Sequence, residues 1–190
     1  MEIGLQRVSA IVIILGAVIF MIAAALPVSF RVFPEPSPTR KLQSIEASPT
    51  TWSVAQVLFA LGATLTVVGI ALLAHHFRDR SIAWILQASV GILLPGVLLW
   101  MWHLYGRAVD PAAFAAGSLP VWPLAVYFVS TEAGLALYGV ALLRTGLPAW
   151  VGWMVIGSMA LLFVMTLFYR DMVPAVYYLV TLLTAVMLYR

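Results

Sequence analysis

Six stretches of this chain are apolar for long enough, or nearly so, to cross a lipid bilayer, and no other feature restricts its folding as much. Hydrocarbon about 30 Å thick, crossed at about 1.5 Å per residue, needs about 20 mostly apolar residues in a helix. Residues 8–30, 52–74, 81–102, 121–143, 147–169 and 172–189 meet or approach that length, and Glu132 is the only charged side chain in any of them. In lipid each backbone group must be bonded within its own segment, so every run is predicted to be helical. None alternates as a barrel strand does. The last run is the shortest and spans only with little tilt. The fold class read from these runs is all-α: a polytopic integral membrane protein, one domain over 1–190, built as a six-transmembrane-helix bundle.

Composition agrees. The 190 residues are 64% hydrophobic and 9% charged, whereas soluble domains carry about 25% charged residues. A soluble domain of this size still exposes roughly 30% of its unfolded surface, too much to hide such a composition. The pI near 9.5 comes from a few arginines at helix ends rather than a basic patch, so nucleic acid is not expected as a partner. With no cysteine, thiol redox chemistry and a disulfide scaffold are excluded.

The connections between runs carry turn signals. Residues 75–80, HHFRDR, read as a tight polar hairpin. Gly146 suits the left-handed position after a helix, and Pro148 the first turn of the next. Asp171 is expected to cap the last helix, and Pro27 to end or kink the first. Pro34, Pro36 and Pro38 alternate within 31–50, which favours an extended polyproline conformation. Asp110-Pro111 followed by an alanine-rich stretch reads as a short capped helix at the interface. Trp100, Trp102 and Tyr105, and again Trp150 and Trp153, fit aromatic belts.

Orientation is finely balanced. Six spans place Arg7, Arg78, Arg80, Arg144 and Arg190 on one side and Arg31, Arg40, Lys41, Arg107 and Arg170 on the other. Because Arg78 and Arg80 crowd one very short loop, both termini are expected to be cytoplasmic. Ala23-Ala24-Ala25 resembles a signal-peptidase site, but the run before it exceeds the usual apolar core of about 7–15 residues. It is therefore read as a span.

Glu132 lies near the middle of its run, where a charge costs from about 3 to well over 10 kcal/mol. It is expected to be protonated, paired or facing an internal cavity. Ala125, Ala136 and Gly139 share its face and let neighbouring helices approach. Gln87, Thr64 and the stripe Tyr177, Thr181, Thr184 are its candidate partners, the stripe lying on one helical face. Such a carboxylate either titrates or binds a ligand, or fixes helix packing as a neutral hydrogen-bonded group. Pro95, with Gly91 and Gly96 nearby, predicts a helix kink.

His75 and His76 close one helix and His103 the next, at opposite ends, so they are not expected to ligate one metal or haem. No cofactor is expected. Lys41 is the only lysine and lies in a loop, which excludes a retinal Schiff base within the bundle. No metalloprotease, nucleophile-elbow or phosphate-loop motif occurs. Trp52 and Gln56, with Ser53, Ala60 and Ala63, read as a packing face.

The segment 144–153, RTGLPAWVGW, resembles an element that joins helices four and five in small bacterial six-helix membrane proteins, grouped as a domain-of-unknown-function family. The resemblance extends to a long loop after helix one and to Ala47-Ser48-Pro49 before helix two; at Ala149 the family usually carries Arg or Lys. It implies this fold and a bacterial inner-membrane setting, and no activity.

Three functions remain as expectations. The first is a non-enzymatic accessory or assembly subunit acting by association, with itself or with a membrane protein partner, alongside the lipid bilayer. The second is a small proton-coupled transporter using Glu132. The third is a lipid-, quinone- or pigment-binding bundle walled by Trp84, Trp100, Trp102 and Phe128.

Overall fold

A computed structural model describes residues 3–168 and 174–190. The chain is all-α there, with no strand among the described residues. Five helices are long and apolar enough to cross a membrane: α1 (Ile3–Ala25), α4 (Pro49–His76), α5 (Ala83–Val109), α7 (Trp122–Leu142) and α8 (Ala149–Phe168). α9 (Ala175–Tyr189) is apolar but shorter, rising about 22 Å. Short helices α2 (Pro27–Val32), α3 (Pro38–Glu46) and α6 (Pro111–Ala115) lie between them.

The prolines act mainly as helix starters. Leu26 turns extended, and Pro27, with no N–H to continue α1, opens α2. The Ser29 hydroxyl donates to the Ala23 carbonyl at 2.8 Å, satisfying an acceptor freed at the end of α1. Pro38, Pro49, Pro111 and Pro123 likewise stand in the first turns of α3, α4, α6 and α7. The segment 31–50, expected to be extended, is thus largely helical, and only 33–37 and 47–48 lie outside the helices. A proline in the first turn lacks only an N–H that would be orphaned anyway, so closely spaced prolines here restart helices. The Asp110 carboxylate accepts from Ala113 N at 2.8 Å, which confirms the capped short helix. Gly146 adopts φ +86°, as its position predicts. The expected cap by Asp171 lies outside the described residues.

The long helices form a closed ring in the order α1, α4, α5, α7, α8, α9. Glycines set the tightest seams, since lipid supplies no hydrophobic drive between spans and close backbone approach must do the work. A Cβ on Gly62 of α4 would stand 2.7 Å from the Gly16 carbonyl of α1, and one on Gly152 of α8 2.7 Å from the Gly139 carbonyl of α7. The hydroxyls of Ser9 and Ser89 each donate at 2.7 Å to a glycine carbonyl of the facing helix, Gly69 and Gly134. α9 runs antiparallel to α1: Tyr178 stacks on Phe20 at 3.6 Å, and Gln6 donates to the Leu188 carbonyl at 3.0 Å.

At the end of the bundle where α1 and α5 finish, α2, α3 and α6 form a cap. Val28, Val32 and Ile45 bury there against Trp52, with Leu26 and Phe114 packed around them.

Candidate functional sites: a tethered carboxyl and a caged arginine

Glu132 is ten residues from either end of α7, about 15 Å along the axis, and is 2% exposed. It faces inward with Phe128, Thr131 and Leu135. Its Oε1 accepts two hydrogen bonds at 2.7 Å, from Thr166 Oγ1 on α8 and from Tyr177 OH on α9. Its Oε2 is buried without a hydrogen-bond partner among the described residues.

Thr166 has one hydroxyl proton but two acceptors in reach, Glu132 Oε1 and the Leu162 carbonyl at 3.0 Å. Through this one hydroxyl the acid of α7 is tied to the backbone of α8.

The other candidate residues divide. Thr181 and Thr184 share the inner face of α9 with Tyr177 but donate to backbone carbonyls, of Tyr178 at 3.1 Å and Thr181 at 2.8 Å. Tyr138 OH donates to Thr184 Oγ1 at 3.4 Å. Thr64 donates to the Ala60 carbonyl and meets Met101 Sδ at 3.8 Å on α5, away from the acid. Gln87 lies exposed on the outer face of α5, and so does Pro95. α5 continues as a helix through Pro95, which faces outward and is not among the residues lining the central cavity. Trp84 and Trp102 are exposed while Trp100 and Phe128 are buried, so these four do not wall one pocket.

A cavity of about 20 Å³ lies at the bundle centre, lined by residues including Thr66, Leu93, Thr131, Tyr177 and Thr181. That is room for about one water. Glu132 is not in its wall, although Tyr177 touches both.

Three groups are missing from the sequence reading around Glu132. Thr166 is one. Tyr127 and Tyr178, whose hydroxyls meet at 3.0 Å across α7 and α9, are another. The third lies beneath the cap. Arg107 stands in the last turn of α5, 7% exposed, and its guanidinium lies 5.6, 5.0 and 4.9 Å from the ring centres of Phe33, Trp100 and Phe114. The Trp52 indole donates to the Arg107 carbonyl at 3.0 Å, and His103 stacks on Trp100. Arg107 Nε, Trp100 Nε1 and Gln56 Oε1 are each buried without a hydrogen-bond partner among the described residues. The spacing Trp100, His103, Arg107 follows i, i+3, i+7 and could have shown this face. Ending the third run at 102 concealed it.

No family model, no characterised protein and no solved structure matches the chain.

Proposed function

We propose that this is a six-span bacterial inner-membrane protein, with both termini cytoplasmic, that acts without catalysis by associating with another membrane protein or with a second copy of itself. The observation that carries this reading is the outer face of α8. Trp153, Leu161 and Val164 are exposed there, and Gly157 between them has nothing within 4 Å of where a Cβ would stand. Glycines at the internal seams are covered by a facing helix; this one is not. The antiparallel course of α9 along α1 supports the sixth span, and the 144–153 segment, which leads into α8, carries the resemblance to the small six-helix family.

The native chain has no cysteine, so a single introduced thiol reports one contact. In native membranes Gly157→Cys is expected to form a disulfide-linked or bifunctionally cross-linked adduct, whereas Gly91→Cys, open on α5, is not. Equal yields from both positions, or a lone monomer from both, would reject the association reading.

A second reading, a proton-coupled carrier, is favoured by Glu132 Oε2, buried with no hydrogen-bond partner among the described residues, and by the cavity touching Tyr177. For it, Glu132→Gln abolishes pH-driven uptake into proteoliposomes at an unchanged folded level. A change in thermal stability alone assigns Glu132 to packing.

A further inference from the structure

Glu132 sits behind the thinnest wall of the bundle. Among the described residues, α8 and α9 touch least of all adjacent pairs in the ring. Early in α8, Gly152 seats the helix against Gly139 of α7. The second half loses that cover. Gly152, Ile156 and Phe163 stand on one flank of the helix, at i, i+4 and i+11, and are buried, half-buried and 43% exposed in turn. Met165, on the opposite flank, is exposed as well. Leu161, Val164 and Phe168 make the outer stripe, which an association face accounts for; Phe163 and Met165 lie off it on either side. From 161 to 168 only Leu162 is buried, and Thr166 is half-buried.

Thr166 is the residue of this half whose hydroxyl reaches Glu132 Oε1, at 2.7 Å. One half-buried side chain therefore separates the acyl chains from the acid. Glu132 itself is 2% exposed, and its Oε2 has no hydrogen-bond partner among the described residues. A buried carboxyl oxygen without a donor is costly in a low dielectric. What satisfies it is a hydrogen-bond donor. Bringing a charged donor to this depth is expensive, so a neutral hydroxyl fits best.

We propose that the seam between the second half of α8 and α9 is a lateral entrance from the bilayer to Glu132, and that its occupant is a neutral, membrane-dissolved molecule whose hydroxyl donates to Oε2. Phe163 and Met165 give its apolar body a surface outside the seam. Thr166 and Tyr177, from the two sides of the seam, hold it shut by sharing Oε1. The proposal rests on membrane insertion and on neither reading of function: the entrance can exist without association, and its test is separate from pH-driven uptake.

Carbodiimide labelling of the full-length protein in liposomes, at mildly acidic pH, tests it. The carboxyl O–H adds across one C=N bond: its oxygen bonds to the central carbon and its proton goes to nitrogen. Acyl migration to nitrogen then leaves a stable N-acylurea, with no leaving group. Dicyclohexylcarbodiimide, which dissolves in lipid, should modify Glu132, whereas a water-soluble carbodiimide should modify the exposed Glu46 and Asp79 instead. Peptide mass spectrometry locates the adducts. Thr166→Val should speed the Glu132 adduct about fivefold, the weight of one hydrogen bond, and Thr166→Ser should return it to the native rate. Decanol in the bilayer should slow the adduct and decane should not. No Glu132 adduct from the lipid-soluble reagent overturns the proposal, and so does equal labelling of Glu132 by the water-soluble one. An unchanged rate in Thr166→Val overturns the closure by Thr166, and equal effects of decanol and decane overturn the hydroxyl-bearing occupant. If Thr166→Val does not fold, the two reagents and the two competitors on the native protein decide.

Discussion

A single oxygen, Oε1 of Glu132, joins three helices, because its two donors come from α8 and α9. Glu132→Gln keeps an acceptor for both, so its unfolding free energy is expected within about 1 kcal/mol of the native protein. Glu132→Leu strands the Tyr177 hydroxyl in an apolar interior, at about 1–3 kcal/mol. Thermal unfolding of both variants in the same detergent checks this; equal destabilisation would show that the hydrogen bonds carry no stability. That Glu132 faces inward was legible, since an acid in the middle of a span has nowhere cheap to go. That Thr166 would meet it was not. Nothing in a sequence marks which of several hydroxyls on other helices arrives within 2.7 Å, and Gln87, a plausible partner by composition, faces outward.

Elements were legible in their cores and misjudged at their ends. Each apolar run became a helix because lipid leaves the backbone no other way to bond. The errors are at the margins: α5 runs on to Val109, carrying Arg107 with it, and the proline-rich connector folds into α2 and α3. Apolar length marks where hydrocarbon begins, not where a helix stops. The seams between elements give a sharper test. Gly62→Ala places a methyl 2.7 Å from the Gly16 carbonyl and 2.8 Å from Phe20 N, backbone atoms that cannot swing aside. It should cost about 1–3 kcal/mol. Gly157→Ala meets open space, and by helix propensity alone should be neutral or stabilising by about 0.5–1 kcal/mol. Chemical or thermal unfolding of the pair distinguishes the two positions; a neutral Gly62→Ala would mean that α1 and α4 do not lie this close.

For the whole molecule, the topology is open to direct test. With six spans, a thiol at Ser118, on the capped end, should be labelled from the face opposite to one at Arg190. Impermeant maleimide applied to intact cells and to inverted vesicles checks this, using Ser118→Cys and Arg190→Cys. Labelling of both from the same face would leave α9 short of crossing and remove the shared side of the termini.

The sequence alone determined that this chain is a set of apolar helices with one acid among them, because those properties follow from local rules: hydrocarbon thickness, rise per residue and the need to bond every amide. Only the tertiary structure decided which helices are neighbours, which hydroxyls reach the acid, and that an arginine counted among the loop charges is enclosed by rings from three separate segments. Between spans the lipid is as apolar as the side chains, so neighbours are selected by fit at glycines and by a few hydrogen bonds between residues remote in the chain. No periodicity records that selection.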